Sequence, residues 1–236
     1  MVLSATSRSS SLPDVLNYGF GGLEKSVAFY GTQDAVPGVT PRNQPLGAQV
    51  VPGDYKIVLT VDGQAYQQTV HVVKDPRVPV SQFDYAEQLK VTLQMTDGLA
   101  SSYAAFNALQ PLRTVLDERI KALGSNKQAK DALDAANAFS KKLSAIEGGS
   151  MAGPGFGLIN AGLTQGVYAI NMGDGAPPES MRTETAAACA GLEKAFAEWQ
   201  KLSASDLPAL NSALQKYNLA ALPEAAFSLP ANSCTK

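Results

Sequence analysis

VPGDYKIVLTVDGQAYQQTVHVVKDPRV, residues 51–78, is the stretch on which the reading of the chain turns. Pro52-Gly53 fits positions i+1 and i+2 of a type II turn, because Pro presets φ and Gly supplies the positive φ that other residues resist. Tyr55, Ile57, Leu59 and Val61 then alternate with Lys56, Val58 and Thr60, the period of a half-buried strand. Asp62-Gly63 is a two-residue hairpin turn, and Tyr66, Gln68, Val70 and Val72 alternate on the return. Asp75-Pro76 stops the strand, since proline donates nothing to a ladder. A two-stranded hairpin is marginal alone in water, so this one calls for further strands. Upstream, in a region rich in Ser, Gly and Pro, the segment Leu23 to Tyr30 offers one, followed by the loop TQDAVPGVTPRNQP.

Downstream the period becomes helical. Ser81 is placed to cap a helix whose apolar face runs through Leu89, Leu93, Leu99, Tyr103 and Phe106, and Pro111 is expected to end or kink it near residue 108. Leu112, Val115, Leu116, Ile120 and Leu123 continue to a stop at Gly124-Ser125. Ala129, Leu133, Ala136, Phe139, Leu143 and Ile146 mark an amphipathic helix closed by Gly148-Gly149, and GGSMAGPGFG after it reads as a loop. Ile159, Leu163, Val167 and Ile170 suggest a weaker helix interrupted by Gly162 and Gly166, followed by the loop GDGAPP. Pro178 opens a helix with the stripe Thr185, Ala188, Leu192, Ala195, Trp199 and Leu202. Ser205 is expected to cap a last short helix that turns Leu207, Leu210, Leu214 and Tyr217 inward. The expected fold class is α+β: a small partial β-sandwich, immunoglobulin- or fibronectin-III-like, with a disordered N-terminus, over residues 1–78, then an up-and-down bundle of about four main helices with a C-terminal tail over 79–236.

Composition removes several function classes. The 236 residues are 45% hydrophobic, enough for one large or two modest cores, and carry a formal net charge of -2 with 17% charged residues. That is no basic footprint for nucleic-acid phosphates or an anionic membrane surface. The longest apolar runs fall short of the roughly 18 residues of a membrane-spanning helix, and MVLSATSRSSSLPDV lacks the apolar stretch of a signal peptide. With two cysteines and one histidine the chain cannot assemble four Cys/His zinc ligands, and nothing in it calls for a cofactor. Cys189 reads either as a small buried helix residue with Cys234 a tail thiol, or as one half of a disulfide that ties Cys234 and the tail to the bundle.

The residues that carry chemistry elsewhere find no partners in this pattern. His71, the sole imidazole, falls in phase with Gln67 and Thr69 on the polar side of its strand, and GGSMA fails the nucleophile elbow in its last position. The glycines of GPGFG, 153–157, have neither a strand before them nor a Lys-Ser/Thr after them, which a phosphate cradle needs. Asp117, Glu118, Asp131, Asp134, Glu193 and Glu198 lie on polar helical faces among Lys and Arg, and no pair is set across a cleft as glycoside hydrolysis requires. The aromatic residues Tyr103, Phe106, Phe139, Phe196 and Trp199 belong to helical stripes and read as core.

The order of four motifs adds a resemblance. PGDYKIVLTVDGQAYQQTVHVVKDPRV, a helix opening SQFDYAEQL, then GLTQGVYAINMGDGAPPESM, and finally W-x-x-L-x-x-x-DLPALNSAL resemble the C-terminal region of secreted bacterial proteins of the sialidase-like, Asp-box-repeat β-propeller group, also called glycosyl hydrolases or sortilin-like proteins. It covers roughly residues 47 to 222. In that group a large propeller precedes an immunoglobulin-like sandwich and a terminal helical bundle. The chain departs from the pattern in two ways: it contains no Asp-box, and GGLEKSVAFYG at 21–31 lacks the Asn, Arg and Trp of the corresponding family segment. The resemblance therefore implies a detached or truncated accessory module, extracytoplasmic, non-catalytic, and structural or protein-binding through its parent propeller or through self-association. A carbohydrate- or cell-surface-binding module using the sheet around Tyr55 and Tyr66 and the loop 31–46 is the competing reading, and a hydrolase the third.

Overall fold

The computed structural model describes residues 48–148 and 155–229 together with the strand Val2–Ser4. Strands β2 (Gly53–Val61) and β3 (Gln64–Val72) form the expected hairpin, in unbroken register from Gly53 opposite Val72 to Val61 opposite Gln64. The two-residue turn is built as the sequence requires, with positive φ at both Asp62 (49°) and Gly63 (80°), the geometry whose twist matches that of the strands. A third strand was not expected where it occurs: β1, Val2–Ser4, lies parallel to β2, giving the order β1-β2-β3 with β3 at an edge among the described residues.

Among the described residues five helices follow. They are α1 (Gln82–Gly124), α2 (Lys130–Glu147), α3 (Phe156–Ile170), α4 (Glu179–Lys201) and α5 (Leu207–Gln215), with a π-helical turn, Leu202–Asp206, joining the last two. They enclose one apolar core in which Leu109, Leu112, Leu116, Leu143, Phe156 and Leu214 are sealed from solvent. α1 is the spine against which α2, α3 and α4 pack. Its start is set by a capping box: the Asp84 N–H donates to Ser81 Oγ, and the Ser81 N–H donates back to the Asp84 carboxylate.

The helical bundle is as the sequence predicts, whereas the sandwich is not. Among the described residues the sheet is a single layer, and no helix packs broadly across it. The expected strand at 23–30 and the loop 31–46 lie outside the described residues.

Three local expectations also change. Pro111 neither ends nor splits its helix, for α1 runs 43 residues through it. Pro111 itself is exposed, while Leu109, Leu112 and Leu116 on either side are fully buried, so packing holds the helix across the missing N–H. Its first half is rotated relative to the Leu89, Leu93, Tyr103 stripe. Tyr85, Gln88, Thr92, Met95, Leu99, Ser102 and Phe106 face inward, and Leu93 is exposed. Ser205 caps nothing, because the chain does not leave the helix at Lys201; its hydroxyl donates to the Lys201 carbonyl across the π turn.

Candidate functional site

Register assigns the hairpin two unlike faces. Tyr55 stands opposite Val70, Ile57 opposite Gln68 and Leu59 opposite Tyr66, so these side chains share one face, on which no residue is charged. Asp54, Lys56, Gln67, Thr69 and His71 occupy the other. Beyond its base at Tyr55 the uncharged face is open among the described residues: Leu59 is 54% and Tyr66 56% exposed, and Ile57, Val61 and Val70 are also solvent-accessible. This apolar surface is gathered on an arm across which no described helix packs broadly.

The two tyrosines expected to form a binding surface have different roles. Tyr55 is buried at 5% exposure and its hydroxyl donates to the Val51 carbonyl at 2.5 Å, which locks the base of the hairpin. Tyr66 is accessible, its hydroxyl donating to Gln64 Oε1 at 2.8 Å. On the polar face His71 Nδ1 is 2.6 Å from Asp54 Oδ1, an exposed cross-strand pair.

The arm is fastened to the bundle by polar contacts. Gln82 Nε2 donates to the Pro52 carbonyl at 3.2 Å, and within the segment joining arm to bundle Arg77 grips the Asp75 carboxylate through Nε and Nη2, holding that carboxyl below its usual range. Below them Gln88 Nε2 donates to the carbonyls of Ile170 and Gly173, both at 2.8 Å, while its Oε1 accepts from the Gly175 N–H at 3.3 Å. Sequence reading missed Gln88 because a buried amide leaves no apolar signal. The GDGAPP loop it holds was the only hint.

Cavities near these groups are poor hosts for a substrate. One of about 130 Å³ at the arm's base, lined by Pro52, Val72, Tyr85, Gln88 and Asp174, is well below the 300–1,000 Å³ of ordinary ligand pockets. A larger open one between α2 and the π turn has its charges already paired, Lys142 with Asp206 and Lys201 with Glu198.

Several of the acidic residues singled out in the sequence are likewise paired. Asp131 accepts from the Tyr217 hydroxyl at 2.6 Å, which lowers its pKa, and Asp117 stands 3.9 Å from Arg113. Arg113 itself is spent on Glu147, Ser140 and Ser144 in a largely buried network. Among the described residues no three His, Cys, Asp or Glu side chains are grouped to hold a metal ion, and no helix is long and apolar enough to cross a membrane. Cys189 on α4 is disulfide-bonded, and Cys234 lies outside the described residues.

No protein-family model matches the chain, and no curated protein and no solved structure matches it significantly.

Proposed function

We propose that this chain is a non-catalytic accessory module that works by protein contact through its hairpin arm. The observation that carries the proposal is the uncharged, open face of Ile57, Leu59, Val61, Tyr66 and Val70 on a hairpin that stands clear of the bundle core. The motif order that resembles the C-terminal part of sialidase-like propeller proteins supports the same reading, with the sheet as one layer of an immunoglobulin-like sandwich completed by a parent propeller or by another copy. A disulfide at Cys189 favours an oxidising, extracytoplasmic setting. The purified chain is expected to leave a panel of aryl-glycosides unhydrolysed. Turnover abolished by substituting one specific pair of carboxylates would overturn the proposal.

A glycan-binding role is the second reading, favoured by the accessible ring of Tyr66 beside apolar neighbours, a surface on which a sugar face can stack. Glycan-array binding above background that Tyr66→Ala abolishes would establish it, and a blank array would remove it.

A further inference from the structure

Among the described residues β3 ends the sheet, and its outer edge is unusually bare. Its nine residues, QAYQQTVHV, include no Lys, Asp, Glu or Pro, and its register with β2 is one-to-one, with no bulge to twist the edge away. These are the devices by which edge strands normally avoid pairing with another chain.

Which groups face outward follows from the turn. Val61 and Gln64 flank a two-residue turn and so form a hydrogen-bonded pair, and in an antiparallel ladder such pairs alternate with non-bonded ones. Gln64, Tyr66, Gln68, Val70 and Val72 thus spend their main-chain groups on β2. Ala65, Gln67, Thr69 and His71 turn theirs to the open edge.

That edge is complementary to itself. We infer that two copies of this chain associate by antiparallel pairing of β3 with β3 about a two-fold axis at Gln68, an inference that rests on the contact role proposed for the hairpin. With Gln68 opposite its own copy, Ala65 meets His71 and Gln67 meets Thr69, so every outward N–H and C=O finds a partner. A two-fold axis at Gln67 or Thr69 would also match donors to acceptors but would leave one end of the strand unpaired. On the apolar face the same register sets Tyr66 beside Val70 of the second copy, at a non-hydrogen-bonded position where side chains lie closest. No like charges meet along the seam, although a two-fold axis readily brings them together on a charged edge. The result is a sheet continuous through both copies, with one uninterrupted apolar face.

The test uses the full chain and its Gln67→Glu/Thr69→Glu double variant. Thr69 pairs with Lys56 inside the hairpin, so glutamate there suits the fold. Across the seam, however, the carboxylate introduced at position 67 of each copy would oppose the one introduced at position 69 of the other. Sedimentation analysis is expected to show a reversible dimer for the wild type and a dissociation constant raised about tenfold or more in the variant, since like charges directly opposed across strands repel and the two-fold axis repeats the clash. Hydrogen exchange adds a residue-level readout: amides of Ala65, Gln67, Thr69 and His71 gain protection with concentration, while those of Tyr66 and Gln68 are protected throughout. A wild type that stays monomeric up to hundreds of micromolar, or a dimer that the glutamates leave intact, overturns the pairing. Either result leaves the accessory reading standing, because that fails only on carboxylate-dependent glycosidase turnover.

Discussion

Gln88, 4% exposed in α1, spends both ends of its amide on the chain that leaves α3. Gln88→Leu keeps the volume and orphans the Ile170 and Gly173 carbonyls and the Gly175 N–H. Buried groups stripped of a partner cost roughly 1–3 kcal/mol, so a loss of about 2 kcal/mol is expected in urea unfolding, with added mobility at 171–175. The two α3 glycines make a contrasting pair. A Cβ on Gly162 would meet nothing within 4 Å, so Gly162→Ala should gain roughly 0.5–1 kcal/mol of helix propensity. A Cβ on Gly166 would come within 3.0 Å of Met95 Sδ and Cε, and Gly166→Ala should return little or none of that gain. The inward face of the first half of α1 departs from the apolar stripe because polar residues take part in it. Gln88, Thr92 and Ser102 can face the core because each is hydrogen-bonded there, to Ile170 and Gly173, to Gln88 and to Leu99 respectively. Apolar periodicity records burial, and these residues are buried without being apolar.

At the scale of elements, Pro111 is the sharpest local conflict. Proline in a helix interior costs roughly 3 kcal/mol, yet α1 persists because its buried leucines would have to leave the core for it to break. Pro111→Ala, at an exposed site, should therefore raise stability by about 1–3 kcal/mol, read as a shift in thermal midpoint. Helix starts respond to acid. The hydroxyl and N–H of Ser81 hold Asp84 below the ordinary carboxylate range, and the Tyr217 hydroxyl does the same for Asp131. A lowered carboxylate pKa gives stability that is present above the unfolded value of about 4 and lost as pH falls through the folded one. For Tyr217, whose pKa Asp131 raises, the sign reverses: its share is present below about 10 and lost as pH rises through the folded value. Tyr217→Phe should consequently flatten the stability profile at both its acid and alkaline ends, as followed by urea unfolding across pH. The capping residue was legible in the sequence, since Ser81-x-x-Asp84 is a local pattern. The Asp131–Tyr217 bond was not, because its partners are 86 positions apart.

For the whole molecule the bundle was legible and the manner of its closure was not. Periodicity places the apolar stripes of the helices, but it does not say that the chain after α5 returns across them. Arg119 Nε holds the Ala220 carbonyl at 3.1 Å, Leu222 is 3% exposed, and Phe227 inserts among Phe156, Phe196 and Trp199 with ring centroids 5.7–5.8 Å apart. In sequence Cys234 follows this strap by a few residues, while Cys189 sits in a disulfide on α4, the helix that also supplies Phe196 and Trp199. Pairing of Cys189 with Cys234, proposed on these grounds, would close a long loop, and constraint of the unfolded chain alone then stabilises by roughly 4 kcal/mol. Reduction should accordingly lower the thermal midpoint and first loosen the strap, seen as a change in Trp199 emission as the stacked Phe227 ring departs. Phe227→Ala should reproduce that spectral change in the oxidised protein, whereas Cys234→Ser should reproduce the loss of stability without reductant. A non-reducing peptide map in which Cys189 and Cys234 run separately would exclude the loop, and an unchanged midpoint under reductant would show that the aromatic cluster alone closes the bundle.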